Sequence, residues 1–438
     1  MTGRGLLYFV LMGLALVAVG FGQSWNVALG IMSMCLISAV MALGVNIQWG
    51  YAGLFNVGIM GFMALGGLAA ILIGMPPVPE AWAAGGSGVL LSALGLLVAA
   101  VGIVYVRRLV PARFRLAVTV LLVVLAFFAL RQVFLPATAA IEQVNPAQTG
   151  YLGGLGLPVL LSWIVGGMVA AGAAWLIGKV ALGLRADYLA IATLGIAEIV
   201  IAVIKYEDWL SRGVKNVTGL PRPVPYEVDL VQAPWFIDWM TTLGVENLNT
   251  AAGIVVKLCY IGLFLAVLVV LFWFSERALR SPWGRMMRAI RDNRDAASAM
   301  GKDVTRRHLQ VFVLGCAVVG VAGAMLTTLD GQFTPTTYIP LRYTFLIWVM
   351  VILGGSGNNW GAVLGGFIIW FVWVQAEPFG HWLMSQSTLF LGDGHWLQVQ
   401  LIDRAVYMRY VLMGAILLVV LRFAPGGLIP ERAPHARA

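Results

Sequence analysis

The sequence predicts an all-α, polytopic membrane protein, on three observations. Hydrophobic residues make up 61% of the 438 residues and charged residues only 11%, which is too little polar surface for a soluble chain of this length. Apolar runs of 17 to 24 residues recur along the chain, and such runs are long enough to cross a bilayer as helices. Arginines and lysines cluster between those runs, as they do in cytoplasmic loops. We therefore predict one transmembrane domain covering residues 1–438.

The apolar runs predict about ten transmembrane helices, at residues 6–22, 27–49, 51–74, 89–106, 116–135, 159–177, 188–205, 251–274, 309–329 and 406–423. A further apolar stretch, 344–376, is interrupted by the sequence GGSGNNWG. Its 33 residues are few for two full crossings, so we favour a glycine-broken hairpin that enters and leaves on one side over two short spans. Because backbone groups cannot stay unpaired in lipid, such a break needs walls of protein or water.

The charge of the loops predicts their sides. Residues 275–308 carry nine Lys or Arg against four acids, and residues 107–115 carry four Arg and no acid. The loop 206–250 carries three basic residues against six acids. Basic loops stay in the cytoplasm, so we expect both termini and the loop 275–308 to be cytoplasmic and the loops 206–250 and 377–405 to be external. The net charge of +9 therefore indicates contact with the bilayer and does not indicate nucleic-acid binding.

A second glycine-rich interruption, NIQWGYAGLFNVGIMGFMALGG, lies at residues 46–67. Paired interruptions in two halves of a transporter indicate a translocation pathway, whereas small residues alone serve close helix packing, and both interpretations stay open. The amides beside the breaks could bind a zwitterion or cap the broken backbone. The pathway candidates here are Asn46, Gln48, Gly50, Gly53, Asn56, Gly58, Gly354, Gly355, Gly357 and Asn358.

A carboxylate inside a span is a further candidate. Glu198 follows Asp187 by about 16 Å of helix, near the middle of the bilayer. Intramembrane carboxylates are expensive, and they normally face protein or a water-filled cavity. Glu198 is therefore either a lining residue of the pathway or a structural group paired with another helix.

Five segments resemble one family. GYAGLFNVGIMGFMALGG, LRADYLAIATLGIAEIV, the stretch 283–325, MVILGGSGNNWGAVLGG and the ending LRFAPGGLIPER are similar, in order, to the permeases of branched-chain amino-acid ABC transporters, the LivH/LivM type, and most similar to the LivM branch. The resemblance implies an importer subunit that works with ATPase subunits, a second homologous permease and a periplasmic binding protein. It implies a multi-pass protein of the bacterial inner membrane that selects cargo mainly through that binding protein.

The same resemblance implies a coupling element in the basic loop. DAASAMG, residues 295–301, follows the Glu-Ala-Ala-x-x-x-Gly pattern of ABC importer permeases with Asp in place of Glu. Small side chains allow close docking to an ATPase, and Gly301 can end a helix in a left-handed turn. The predicted coupling residues are Arg291, Asp295, Ala296, Ala297 and Gly301. Upstream, Trp283, Met287 and Ile290 recur at helical spacing, and we expect them to offer a partner an apolar face.

The arginines three apart in this loop, Arg285, Arg288, Arg291 and Arg294, form a basic stripe that could also anchor to lipid headgroups. No G-x-x-x-x-G-K-[ST] motif occurs in the chain, so we expect no enzyme activity and no cofactor of its own, with ATP and Mg²⁺ held by the partner ATPase.

Two other functions stay open. One is a secondary transporter or channel for urea or short amides. The other is a membrane enzyme that uses His381, Asp393, His395 and Asp403, a spacing that matches no known metal or hydrolase motif.

Overall fold

Helices form nearly all of the structure, a computed structural model that describes residues 3–146, 148–388 and 395–431. The principal helices are α1 (Gly3–Gly22), α2 (Trp25–Ala52), α3 (Ile59–Gly74), α4 (Ser87–Leu109), α5 (Arg115–Gln143), α6 (Val159–Ala181), α7 (Ala186–Tyr206), α8 (Leu248–Arg280), α9 (Pro282–Asp292), α10 (Arg294–Ala299), α11 (Val304–Asp330), α12 (Leu346–Gly354), α13 (Asn359–Ser387), α14 (Trp396–Asp403) and α15 (Met408–Phe423). Shorter helical segments lie at Pro79–Ala81, Trp82–Gly86, Ala112–Phe114, Asp208–Ser211, Gly213–Lys215, Glu227–Gln232, Pro234–Thr242, Pro335–Thr337, Leu341–Phe345 and Ala405–Tyr407.

The predicted class and helix number are confirmed. Within the described residues, ten helical segments are long and apolar enough to cross a membrane, and two shorter apolar helices, Ile59–Gly74 and Arg342–Gly354, accompany them. The broken hairpin has unequal arms. Arg342–Gly354 is about 20 Å long, whereas Asn359–Ser387 is about 43 Å long and continues well beyond the end of the predicted stretch 344–376.

Contacts between loops sort the ends of the helices into two groups, as the predicted alternation requires. At one end, the loop after α3 bridges to the loop before α6 through Pro77 and Gly153, and β1 (Val217–Thr218) pairs antiparallel with β2 (Gln332–Phe333). At the other end, the chain start, the loop after α6, the segment 275–308 and the residues after α15 lie together. We call this second group the basic end, because it contains the arginine-rich segment.

The core is made by α2, α3, α11 and α13, with α6 and α8 packed around them. Glycines allow the closest approaches. A Cβ atom placed on Gly66 of α3 would lie only 1.9 Å from the carbonyl oxygen of Gly320 in α11. In lipid there is no hydrophobic force that drives helices together. Extensive van der Waals contact between backbones this close stabilises their packing instead.

Helices α4 and α5 form a hairpin that packs mainly on itself and lies outside this core. The most apolar stretches of both helices are almost wholly exposed in the chain, which suits lipid contact on nearly every side. The hairpin joins the bundle at the end opposite the basic end, where Phe134 packs edge-on against Trp209. It accounts for two of the predicted spans, 89–106 and 116–135.

One predicted boundary is wrong, and one predicted loop contains more helix than expected. Within residues 377–405, α13 runs on to Ser387 and the next membrane-length helical segment begins at Trp396, while the external position of these residues stays a prediction. The wrong boundary is the one between the predicted spans 27–49 and 51–74, which leaves a single residue between two helices. In the structure α2 ends at Ala52 and α3 begins at Ile59, so six residues separate them. In both places the amphipathic or glycine-rich ends of helices lack the strong apolar signal that marks a membrane core.

The close contact of α3 and α11 can be tested with Gly66→Leu. We expect this variant to lose at least ~1–3 kcal/mol of stability through overpacking against the Gly320 carbonyl. Thermal unfolding of the purified protein in detergent measures the loss. The matched control is Gly102→Leu on α4, where an added Cβ meets nothing within 4 Å. Equal melting temperatures for the two variants would contradict the packing described here.

Candidate functional site: the junction at the basic end

Both glycine-rich breaks lie at the basic end of the bundle, where the last turn of α2, just before break 1, contacts break 2. Break 1 is residues 53–58, between α2 and α3, and break 2 is residues 355–358, between α12 and α13. A Cβ atom on Gly50, in the last turn of α2, would lie 2.4 Å from the backbone nitrogen of Gly357 in break 2. Only glycine at position 50 permits this approach. The contact therefore joins two segments that lie about 300 residues apart in the sequence.

Asn46 connects α2 to break 2 through both ends of its amide. Its Oδ1 accepts a hydrogen bond from the Gly357 backbone N–H at 2.8 Å, and its Nδ2 donates to Oδ1 of Asn359 at 3.0 Å. The Tyr51 hydroxyl donates to the same Asn359 oxygen. Asn359 in turn donates from Nδ2 to the Glu276 carboxylate at the end of α8, at 3.0 Å. This buried chain of polar groups replaces the hydrogen bonds that the broken backbone lacks.

A second amide pair supports break 1. The Nδ2 of Asn56 donates to Oε1 of Gln48 at 2.9 Å, while its Oδ1 accepts from the Gly58 backbone N–H at the start of α3, at 2.9 Å. Trp348 of the hairpin donates from Nε1 to the Asn56 carbonyl oxygen at 3.0 Å. Gln48 and Asn56 are fully buried. Their amides are therefore used to hold the break in shape.

Arg291, at the end of α9, reaches into the junction between the two breaks. Its Nη1 donates to the Gly50 carbonyl oxygen and, at 2.8 Å, to the carboxylate of Glu431. Gly53 has φ of 67°, and a Cβ atom there would lie 3.2 Å from Cγ of Arg291. Burial alone lowers the pKa of Arg291, but the hydrogen bonds and charges of Glu431 and Asp292 outweigh it and raise that pKa, so the guanidinium stays charged.

The helix α9 differs from the prediction in what its apolar face contacts. Met287 and Ile290 are buried in the core of this chain, and Trp283 is half-buried against it. Their face therefore packs on the protein itself and is not free for a partner. The amphipathic α9 packs its apolar face against α2 and α8 at the basic end and covers the ends of these helices.

The short helix α10, by contrast, is exposed. Asn293 caps its start by accepting a hydrogen bond from the Ala296 N–H at 2.9 Å. Gly301 follows its end with φ of 74°, which confirms the predicted left-handed turn. Asp295 and Ala296 are exposed and Ala297 is half-buried. Of the predicted coupling residues, Asp295, Ala296 and Ala297 thus lie on this exposed helix and Gly301 follows its end, whereas Arg291 lies on α9 in the junction.

Glu198 lies away from the junction, on the outer side of α7. Its side chain is exposed and makes no hydrogen bond or ion pair with the described part of the chain. The opposite side of α7 packs on α3, where a Cβ atom on Gly61 would lie 2.8 Å from Cα of Ala197. Large side chains on the same outer side are equally exposed, at Tyr188, Ile191, Ile199 and Tyr206.

The histidines and acids of the outer segment do not assemble into a site in the described residues. His381 lies in α13, Asp403 ends α14, and His395 caps α14 by accepting from the Leu397 N–H at 3.3 Å. Asp393 lies outside the described residues. Among the residues the structure describes, no group of three His, Cys, Asp or Glu side chains is placed to hold a metal ion.

Sequence reasoning missed three members of the junction: Tyr51, Glu276 and Glu431. Glu431 carried a usable signal. It follows the glycine and proline of the tail motif GGLIP, and it is an acid in a chain whose arginines cluster in one loop. Tyr51 and Glu276 carried no such signal, because their role depends on which helix ends meet.

A variant of Asn46 tests the junction directly. Asn46→Ala leaves the buried Gly357 N–H without its side-chain acceptor and removes one of the hydrogen bonds to Asn359, so we expect a loss of about 1–3 kcal/mol. Thermal unfolding in detergent gives the value. Gln148→Ala, at an exposed amide of the opposite end, is the control and should melt like the parent protein. A junction held mainly by packing would instead leave both variants unchanged.

The bundle consists of membrane-length helices with glycine breaks, and at one end an exposed basic segment is hydrogen-bonded to it. This is the architecture of a membrane transport subunit. The family described as "Branched-chain amino acid transport system / permease component" matches residues 137–421, which is more than half of the chain. The chain belongs to this family of permeases.

Individual relatives agree with the family. The chain is 28% identical over 299 residues to the probable branched-chain amino acid transport permease protein LivM of Methanocaldococcus jannaschii, covering 68% of this chain and 74% of that protein. It is 28% identical over 205 residues to the high-affinity LivM permease of Escherichia coli strain K12, covering 47% of this chain and 48% of that protein.

The LivH permease of the same strain is 30% identical over 124 residues, covering 28% of this chain and 38% of that protein. The match thus spans about half or less of the two enterobacterial permeases. No solved structure matches the chain.

Proposed function

We propose that this chain is the membrane-spanning permease subunit of an ATP-binding-cassette importer for branched-chain amino acids. The single observation that carries the proposal is the connection between α10 and the breaks. The exposed helix α10 follows α9 directly, and Arg291 of α9 bonds to Gly50 in the last turn before break 1. A partner that moves α10 would therefore move the ends of the membrane helices.

The partners follow from the same geometry and from the family. An ATPase subunit, holding ATP and Mg²⁺, would dock on α10 through the exposed Asp295 and Ala296, and Gly301 would let the chain turn sharply after the contact. A periplasmic binding protein would deliver the cargo at the opposite end, at residues 206–250 and the ends of the helices within 377–405. The chain would lie in the inner membrane with the basic end, and both termini, in the cytoplasm.

A second permease would cover the outer side of α7. Glu198 lies there, exposed, near the middle of a membrane-length helix. A carboxylate facing lipid at that depth costs several kcal/mol, so a protein partner or a water-filled cavity must face it. Both are supplied if the pathway runs along the boundary between two homologous permeases. The LivH protein named above is a relative of the kind this second subunit would be.

The cargo assignment rests on the relatives, whose names specify branched-chain amino acids. Reconstitution tests it together with the energy source. Proteoliposomes holding this chain, its ATPases and its second permease should take up leucine only when the binding protein is outside and ATP is inside. Uptake of urea or a short amide by this chain alone, without ATP, would instead establish the secondary transporter or channel.

The docking role of α10 is tested by Ala296→Trp. Because Ala296 is exposed, the added ring costs the fold of this chain little, but it obstructs a close contact with another subunit. We expect at least a tenfold loss of uptake and of ATPase co-purification, the effect of losing ~1.4 kcal/mol or more of binding free energy. The control, Ala112→Trp, adds the same ring at an exposed turn between α4 and α5. If both variants transport equally well, α10 is not the docking element.

The boundary at α7 is tested by Glu198→Leu. In the isolated chain this removes an unpaired exposed carboxylate, so we expect the melting temperature in detergent to stay the same or rise. With the second permease present, we expect weaker co-purification and slower uptake. Ile164→Ala, on the exposed face of α6, serves as control. A stable pair of permeases containing Glu198→Leu at wild-type transport rates would remove α7 from the boundary.

A further inference from the structure

The residues that follow the last membrane helix form a third arm of the junction. Residues 424–431 leave α15 and run back under the hairpin. The backbone N–H groups of Leu428 and Ile429 donate to the carbonyl oxygens of Leu353 and Gly354, at 2.8 and 2.9 Å. These carbonyls belong to the last turn of α12, which has no helical partners for them. The tail therefore completes the hydrogen bonding of a helix that break 2 cuts short.

The contact between tail and break 2 is close enough to demand glycine on both sides. Gly427 has φ of 80°, and a Cβ atom there would lie 2.3 Å from Cα of Gly355. Asn358 adds a hydrogen bond from its Nδ2 to the Pro430 carbonyl oxygen, at 3.2 Å. Ile429 is buried. The tail and break 2 thus fit as one unit, and displacement of either one would pull on the other.

Glu431 joins this unit to the coupling segment. Its carboxylate accepts from Arg291 at 2.8 Å and lies 3.7 Å from Nη1 of Arg288, one helical turn earlier on α9. The side chains of Glu431, Arg288 and Arg291 are each only 25% exposed. Charges shielded in this way attract more strongly than surface pairs, and loss of one partner leaves the other uncompensated. Asp292 also pairs with Arg291, at 3.2 Å, but it is 68% exposed and belongs to α9 itself.

A cavity of about 1080 Å³ opens beside the tail, between it and the start of α1, with Arg288 and Glu431 on its wall together with Arg4 and Tyr8. On this side the tail is therefore not covered by packed helices, and the ion pair between Glu431 and the arginines of α9 lies at the edge of the cavity.

We propose that residues 424–431 are a coupling clamp, in which Glu431 is the positioning residue that ties the motion of α9 and α10 to break 2. Without the clamp, α9 is linked to break 1 through the Gly50 carbonyl but no longer to the tail that completes α12. The inference rests on the proposed transport function, because it assigns the tail a part in transmitting work from the ATPase. It adds a residue and a mechanism that the docking helix alone does not provide.

The test uses the complete transporter in proteoliposomes and measures two rates, leucine uptake and ATP hydrolysis. Glu431→Gln keeps the shape of the side chain and removes its charge. We expect ATP hydrolysis to continue while the leucine taken up per ATP falls by about tenfold, within the range of couplings between two sites. Glu431→Asp should keep most of the coupling, because the carboxylate remains. Hydrogen exchange at residues 353–358 should be faster in Glu431→Gln than in the parent protein.

Asp292→Asn is the matched control, since it also removes a carboxylate that pairs with Arg291 but one outside the tail. We expect it to behave as the parent protein. Arg291→Gln combined with Glu431→Gln should be little more defective than Arg291→Gln alone, because the short ion pair is already lost and only the longer contact of Glu431 with Arg288 remains to be removed. Coupled transport by Glu431→Gln at the parent rate would overturn the clamp, and so would an equal defect in Asp292→Asn.

These outcomes separate the clamp from the proposed function. If the parent transporter itself shows no ATP-dependent uptake, the function is wrong whatever the variants do. If the parent transports leucine and Glu431→Gln matches it in uptake and in hydrogen exchange, only the clamp is wrong. If Glu431→Gln fails to insert into the membrane, the comparison of Arg291→Gln with Asp292→Asn decides, because the clamp requires the cation at 291 that holds Glu431 and does not require the carboxylate at 292. Equal coupling and equal hydrogen exchange at residues 353–358 in these two variants would overturn the clamp.

Discussion

One guanidinium holds the basic end of this permease together. Arg291 bonds at once to the Gly50 carbonyl in the last turn of α2 and to the Glu431 carboxylate of the tail, and it lies against Gly53 at the start of break 1. Arginine suits this place because its several donors point in fixed directions from one planar group, and because its charge survives partial burial. The meeting of four chain segments at one point therefore depends on this side chain.

The position of the glycine breaks explains why so many polar groups gather around them. Both breaks lie at the same end of the bundle, where two helices end and two begin, and these helix ends leave backbone groups without helical partners. The side-chain oxygen of Asn46 accepts from the Gly357 N–H, and that of Asn56 accepts from the Gly58 N–H. Backbone N–H groups of the tail donate to the carbonyls of Leu353 and Gly354. The bilayer makes this necessary, since an unpaired backbone group next to hydrocarbon costs several kcal/mol. The polar network therefore allows the short helix α3 to begin, and the short helix α12 to end, inside the bundle without leaving these backbone groups unpaired.

The sequence predicted the helix class, the number of spans and the two-sided arrangement of loops, because apolar length and arginine clustering are local signals. It also predicted that 344–376 is a hairpin and that Gly301 ends a helix. It did not predict that Met287 and Ile290 would pack on their own chain, since an amphipathic face looks the same whichever surface covers it. Nor did it predict Glu431 as a partner of Arg291, 140 residues away, because long-range pairing of charges leaves no periodic pattern.

The use of the buried amides bears on where cargo can pass. Asn46, Gln48 and Asn56 were equally good candidates for a pathway and for a structural role, and each of them has its hydrogen bonds directed to the breaks or to neighbouring helices. A cargo that needed these groups would have to break the network that keeps α2 and α3 joined. The exposed side of α7 belongs to no such network, and the residues that the structure describes give the Glu198 carboxylate no polar partner. The second permease proposed above would then complete the pathway along this side of α7, and this chain would supply one wall of it.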